Sequence, residues 1–278
     1  MHVVLILVLL AVGSVLFHLV SPWWWTPIAS NWQYIDDTII ITFWITGAVF
    51  VAVLLFMAYC VLRFRHREGH TAAFGPESRK LEGWLTLVTG IGVAAMLAPG
   101  LFVWNHFITV PADATTIEIV GQQWQWSFRL PGKDGRLGIS AIDNITDDNP
   151  LGLSRNDPNG QDDIIIQGAE LHLPIGKPVK VLLRSTDVVH DFYVPEFRAK
   201  MDILPGSTSY FWLTPTRTGT FDVLCAELCG SGHPYMRGSV IVEEAADYHV
   251  WLDGQQTRVI AQQSETKNEE NSLEAGRP

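Results

Sequence analysis

The chain has 278 residues, of which 47% are apolar, and a formal charge of −10. That length allows one or two domains, and an apolar content this high points beyond an ordinary soluble protein. The acidic balance excludes nucleic acid, whose binding needs a basic face, and suits a basic protein partner drawn in by long-range attraction; three cysteines are too few for a disulfide framework.

In chain order, the first twenty residues, MHVVLILVLLAVGSVLFHLV, form an apolar run with neither a basic leader nor a small-residue cleavage site. A transmembrane helix over 1–20 is therefore expected in preference to a cleaved signal sequence. Thr38–Leu62 gives 25 residues without a charge, and Trp84–Trp104 is a second uncharged run. Each can cross a hydrocarbon core of about 30 Å, which predicts spanning helices over 38–62 and 84–105. Cys60, inside the first of these, reads as a small buried hydrophobe. Five of the eleven tryptophans fall between Trp23 and Trp44, as expected at a membrane boundary. Arg63, Arg65, Arg67, Arg79 and Lys80 crowd the link between the two helices, whereas Ser21–Asp37 has no lysine or arginine. The positive-inside rule then places residues 63–82 on the inner side and everything after about residue 106 outside.

After Pro111 the pattern changes to short alternating segments. Ile117 and Ile119 alternate with polar residues; Trp124, Trp126 and Phe128 share one parity. So do Val179, Val181 and Leu183, then Phe221, Val223 and Cys225, then Val240 and Val242. Short strands separated by Gly, Pro and Asp turns predict an all-β domain over 111–245, an antiparallel sandwich or small barrel. Residues 131–163 interrupt this rhythm with five glycines, three prolines and seven aspartates against three basic residues, the composition of an exposed acidic insertion. Its NDPNGQDD stretch lacks the oxygen-ligand spacing and closing glutamate of a calcium loop and reads as a solvated loop. Residues 246–278 read as a short helix and then, from about Gln262, a loose polar tail.

Residues 225–236, CAELCGSGHPYM, place two cysteines, a histidine and a methionine in twelve positions. Thiolates and thioethers select soft metals such as copper, and imidazole suits copper and zinc. A disulfide between Cys225 and Cys229 would leave His233 and Met236 idle, and zinc has little use for methionine. A strand running into a glycine-containing loop and then another strand resembles the ligand loop of cupredoxin-like copper sandwiches, with one thiolate too many for a single blue copper. His190, 35 residues before Cys225, competes with His106, His172 and His249 as the upstream ligand.

C-x-E-x-C-x-x-x-H-x-x-M, with the upstream D-V-V-H, resembles the binuclear CuA site of subunit II of cytochrome c oxidase. The likeness extends to the membrane helices, the GQQWQWSF strand and the AKMDILPG segment. It implies that Cys225 and Cys229 bridge two copper ions, with His190 and Met236 on one and His233 and the Glu227 carbonyl on the other. Two bridging thiolates would share one unpaired electron between the metals, so that bonds change little on reduction. The resemblance also implies that Trp124 receives electrons from cytochrome c, that Asp187 and Asp202 help to dock it, and that the Glu227 side chain holds a magnesium or manganese ion at the boundary with subunit I. Glu82, in RKLEGW, matches a glutamate near the mouth of a proton channel. Gln125 stands where relatives often carry tyrosine.

The expected protein is thus the electron-transfer subunit of a proton-pumping oxidase, associated with subunits I and III in a bacterial inner membrane, with no oxygen reduction by this chain alone. No C-x-x-C-H occurs, so its electrons are expected from a separate carrier. A nitric oxide reductase subunit with the same centre and a membrane-tethered copper carrier remain as alternatives, although a carrier would not need Trp124, Glu82 or Glu227.

Overall fold

The computed structural model describes residues 2–21, 26–71, 75, 77–146 and 148–255. They divide into a helical unit, Met1–Thr26 with Gln33–Asn105, and a β-rich unit, Pro27–Trp32 with His106–Pro278. The polar tail expected from Gln262, and Trp23, Trp24 and Trp25 of the expected interfacial cluster, lie outside the described residues.

The first unit is built from α1 (His2–Val20), α2 (Gln33–Arg63) and most of α3 (Arg79–Ile108). Each helix is long and apolar enough to cross a membrane, and at most 6% of its most apolar stretch is buried within the protein. Apolar surface on that scale needs lipid or other membrane helices around it, so the chain is membrane-anchored. α2 and α3 begin about a turn before their uncharged runs, because helical hydrogen bonding does not stop where apolarity does. The Ser78 hydroxyl accepts the Leu81 N–H at 3.3 Å and caps α3.

The β-rich unit is a sandwich of two five-stranded sheets. The first contains β1 (Thr115–Gln122), β2 (Gln125–Leu130), β3 (Ile164–Gln167), β5 (Val179–Ser185) and β8 (Ser209–Leu213), in the order β3-β2-β1-β5-β8. The second contains β4 (Glu170–Pro174), β6 (His190–Val194), β7 (Ala199–Ile203), β9 (Gly219–Cys225) and β10 (Arg237–Glu243), in the order β4-β10-β9-β6-β7. Most neighbours are antiparallel, but β1–β5 and β4–β10 pair in parallel. Both parallel pairs join strands distant in sequence, as parallel pairing requires.

The period-2 pattern places Ile117, Ile119, Trp126, Phe128, Val181 and Leu183 inside, facing Phe221, Val223, Val240 and Val242 from the other sheet, all buried. Trp126 meets Phe192 edge-on at 5.6 Å between ring centres, and Phe192 lies 6.1 Å from Phe211, so aromatic rings bind the two layers together. Trp124 departs from this parity because it lies in the two-residue turn between β1 and β2, where it is 41% exposed. α4 (Ala245–Asp253) follows β10.

Residues 27–32 belong to the β-rich unit. Ala29 N–H donates to Glu196 O at 2.7 Å, the Ser30 hydroxyl to Phe197 O at 2.8 Å and Asn31 N–H to Thr214 O at 3.1 Å. Trp32 is wholly buried, donates Nε1–H to Trp212 O at 2.9 Å and rests on the Trp212 ring.

The 131–163 insertion departs from the expected solvated loop. Asp134, Asp143 and Asp148 are exposed, but Gly138, Leu151, Leu153 and Asp163 are buried. Leu151 and Leu153 pack with Val120 and Ile165 on the outer face of the first sheet. That face carries buried charges: Glu118 accepts from Arg129 Nε at 2.9 Å and Arg184 Nε at 3.2 Å, and Arg129 Nη1 reaches Asp163 at 2.8 Å. The insertion completes the network with the Gly138 carbonyl, 2.7 Å from Arg129, and the Leu151 carbonyl, 2.6 Å from Arg184. Two guanidinium groups inside a strand face cannot stay unpaired, which is why this acidic segment folds down over them. In its NDPNGQDD stretch, the Asp157 carboxylate accepts the N–H groups of Asn159 at 3.2 Å and Ile139 at 2.6 Å.

Candidate metal centre

His190 opens β6, Cys225 closes β9, and residues 226–236 form the loop that leads to β10. Since β6 and β9 pair, with Phe192 opposite Cys225, the sheet itself brings the upstream histidine to the loop. Cys225 Sγ lies 3.9 Å from His190 Nδ1, 3.7 Å from Cys229 Sγ and 3.3 Å from the Glu227 carbonyl. Cys229 Sγ lies 3.6 Å from His233 Nδ1 and 3.9 Å from Met236 Sδ. All six expected donors therefore converge. His190 and Met236 are buried, as are both sulfur atoms' residues, while the Glu227 side chain is exposed.

The spacing fits metal ligation. Bonds of about 2.2 Å in tetrahedral array separate neighbouring donors by about 3.6 Å, close to the separations found here. At 3.7 Å the sulfurs are not a disulfide, and both cysteines are free. Burial, and then the Cys225 sulfur, push the Cys229 thiol up to about 11, so a thiolate pair in this place needs cationic charge between its members. Two thiolates, two imidazoles, a thioether and a carbonyl make a donor set for copper more than for zinc.

The surroundings fix the donors. His190 Nε2 is 2.8 Å from Asp187 Oδ1, which leaves Nδ1 directed at Cys225. Asp187 also accepts the N–H groups of Gln123 and Val188, each at 2.6 Å. Burial would raise this carboxyl, but those N–H groups and His190 hold it below the ordinary aspartate value. Trp124 Nε1 and Gln123 Nε2 both donate to the Cys229 carbonyl, at 3.2 and 2.8 Å. The indole lies flat on the loop glycines: a Cβ on Gly232 would fall 2.2 Å from Trp124 Cδ2.

The remaining expected site residues are Asp202, in the β-rich unit, and Glu82, in the helical unit. Asp202 faces Asp191 across the β6–β7 ladder, and the Lys200 ammonium lies 3.7 Å from Asp202 and 2.8 Å from buried Asp191. Burial, and then Asp202, raise the Asp191 carboxyl to about 6. Glu82 is exposed in the first turn of α3. Of the competing histidines, His172 stacks on Trp251 at 4.1 Å and faces Glu243 at 3.1 Å, His249 sits on α4, and His106 lies beside Trp32 and Trp212.

Sequence reading missed Gln123, Asp191 and the charges beneath the insertion. For Glu118, Arg129 and Arg184 a signal existed, since each is a charge inside an apolar strand run. Gln123 has none, because its partners are 64 and 106 residues away.

A membrane-anchored sandwich that gathers two thiols, two imidazoles and a thioether at one end defines a class of copper-centred electron-transfer proteins. Comparison with known proteins narrows this. Residues 115–245 match the family profile described as cytochrome c oxidase subunit II, periplasmic domain. The alternative cytochrome c oxidase subunit 2 of Bradyrhizobium diazoefficiens is 72% identical over 92% of this chain and 93% of its own. Cytochrome c oxidase subunit 2 of Cereibacter sphaeroides is 27% identical over 82% of this chain and 77% of its own. Among solved structures, the periplasmic domain of subunit II of cytochrome oxidase from Bradyrhizobium japonicum covers 52% of this chain and 95% of its own, with 29% identity and a TM-score of 0.38. The chain belongs to the cytochrome c oxidase subunit II family. It is accordingly a subunit of an oxidoreductase complex, with the CuA electron-transfer role of that family.

Proposed function

We propose that this chain takes single electrons from a c-type cytochrome outside an energy-coupling membrane and delivers them to the haem-bearing subunit I, where oxygen is reduced. The observation that carries this reading is the convergence of His190, Cys225, Cys229, His233, Met236 and the Glu227 carbonyl. Two copper ions held by these donors supply a one-electron carrier. The chain's own residues do the rest. The paired strands hold the donors in fixed positions, Asp187 sets the tautomer of His190, and the sandwich core excludes water from the sulfurs. Trp124 offers an exposed ring whose N–H touches the backbone of a sulfur donor, which suits it to receive electrons.

Leu228 and Tyr235, 77% and 84% exposed on the same loop, give an apolar seat for subunit I, and the exposed Glu227 carboxylate suits a hard cation such as magnesium at that boundary. Asp202 and the exposed aspartates of the insertion favour a lysine-rich donor. The helices and the charge asymmetry support a bacterial inner membrane with the sandwich outside, and Glu82 at the inner end of α3 supports a part in proton uptake. Metal analysis and EPR of the purified complex test the central reading. Two copper ions in the β-rich unit with a mixed-valence signal are expected; one copper, or zinc, overturns it.

A further inference from the structure

Among the described residues outside the donor set, Gln123 hydrogen-bonds toward both halves of the donor cluster. Its backbone N–H donates to Asp187 Oδ2 at 2.6 Å, and the other oxygen of that carboxylate holds His190. Its side-chain Nε2 donates at 2.8 Å to the Cys229 carbonyl, the acceptor used by Trp124 Nε1. The fit is close, since a Cβ on Gly230 would stand 3.0 Å from Gln123 Nε2. One residue in the β1–β2 turn thus ties the strand-borne histidine to the loop-borne cysteine, and two N–H dipoles meet on the peptide of a sulfur donor.

We propose that Gln123 is a positioning residue of the copper centre, which through its two amide groups fixes the spacing of His190 and Cys229 and seats the Trp124 indole on the loop. The inference rests on the copper reading above. Donor groups beside a metal ligand set both its orientation and its electron-donating strength, and their loss typically costs about 10- to 100-fold in metal affinity or activity. The positive ends of the two N–H dipoles also favour the more negative, reduced state of the centre.

The test is made on the intact oxidase complex carrying Gln123→Met, which keeps the side-chain length without the donor, and Gln123→Glu, whose carboxylate cannot donate when ionised. Both leave the backbone N–H to Asp187 in place. The expected result is an altered copper EPR signal and visible spectrum, a lower reduction potential of the centre, and electron uptake from cytochrome c slowed about tenfold with two coppers still bound. If Gln123→Met does not assemble, Gln123→Glu carries the same expectations. A purely structural role would lower copper occupancy while leaving the spectrum and potential of the remaining centres native, and that result overturns the proposal. So does native behaviour of a variant in all three readouts. Failure of the copper reading shows separately, as absence of paired copper from the unmutated complex.

Discussion

His190 Nε2 and Asp187 Oδ1 stand 2.8 Å apart, and this contact decides which ring nitrogen of the histidine is free to face Cys225. Asp187 was expected from family resemblance to help dock the electron donor; its carboxylate is also bound to His190 and to two backbone N–H groups. Asp187→Ala should therefore weaken copper retention about 10- to 100-fold, measured by competition with a chelator. Unchanged retention with a reduced salt dependence of cytochrome binding would leave docking as its whole role.

At 3.7 Å the two sulfurs are close enough to bridge the same metal ions. Cys225→Ser or Cys229→Ser should abolish the mixed-valence EPR signal, and an unchanged two-copper spectrum in either variant would refute the bridging assignment.

Trp124 is held by the loop as much as by its own turn. Trp124→Phe keeps an aromatic side chain but loses the indole N–H to the Cys229 carbonyl, and should slow electron transfer from cytochrome c with copper content kept. Gly232→Ala should have the same phenotype, because its new Cβ would occupy the position of the indole. Stopped-flow reduction of the copper centre reads both; native rates in Trp124→Phe would remove the tryptophan from the route.

Buried charge ties stability to pH. Burial would raise the Glu118 carboxyl, yet Arg129 and Arg184 hold it below its ordinary value of 4.5. A carboxyl lowered on folding contributes stability that is present above about pH 4.5 and is lost as pH falls through the folded value. Asp163 is raised by burial despite Arg129, so it acts in the opposite sense, opposing folding as pH rises. Glu118→Gln should cost about 3–5 kcal/mol near neutrality, since it removes the carboxylate paired with buried Arg184 and leaves Arg129 with Asp163 alone. The difference from the native protein should narrow on acidification below pH 4.5, as followed by thermal unfolding of the β-rich unit. A pH-independent difference would contradict this account.

Glu82→Ala should impair proton uptake while leaving the copper spectrum intact. Normal turnover with normal proton release would make Glu82 a surface carboxylate.

Much of this protein is legible in sequence because its strongest constraints are local. A bilayer demands continuous apolar runs, so α1, α2 and α3 announce themselves without reference to the rest of the chain. Five of the six donors lie within twelve consecutive residues, and a strand period of two marks Val181, Phe221 and Val240 as interior. Tertiary structure decided whatever depends on partners distant along the chain. Strand pairing chose His190 over His106, His172 and His249. The turn at Gln123–Trp124 took one tryptophan out of the core while Trp126 stayed in it. The acidic insertion folded inward because Arg129 and Arg184, buried on a strand face, required its carbonyls and Asp163. Composition records how polar a segment is, whereas burial depends on which charges it meets, and only the folded chain brings them together.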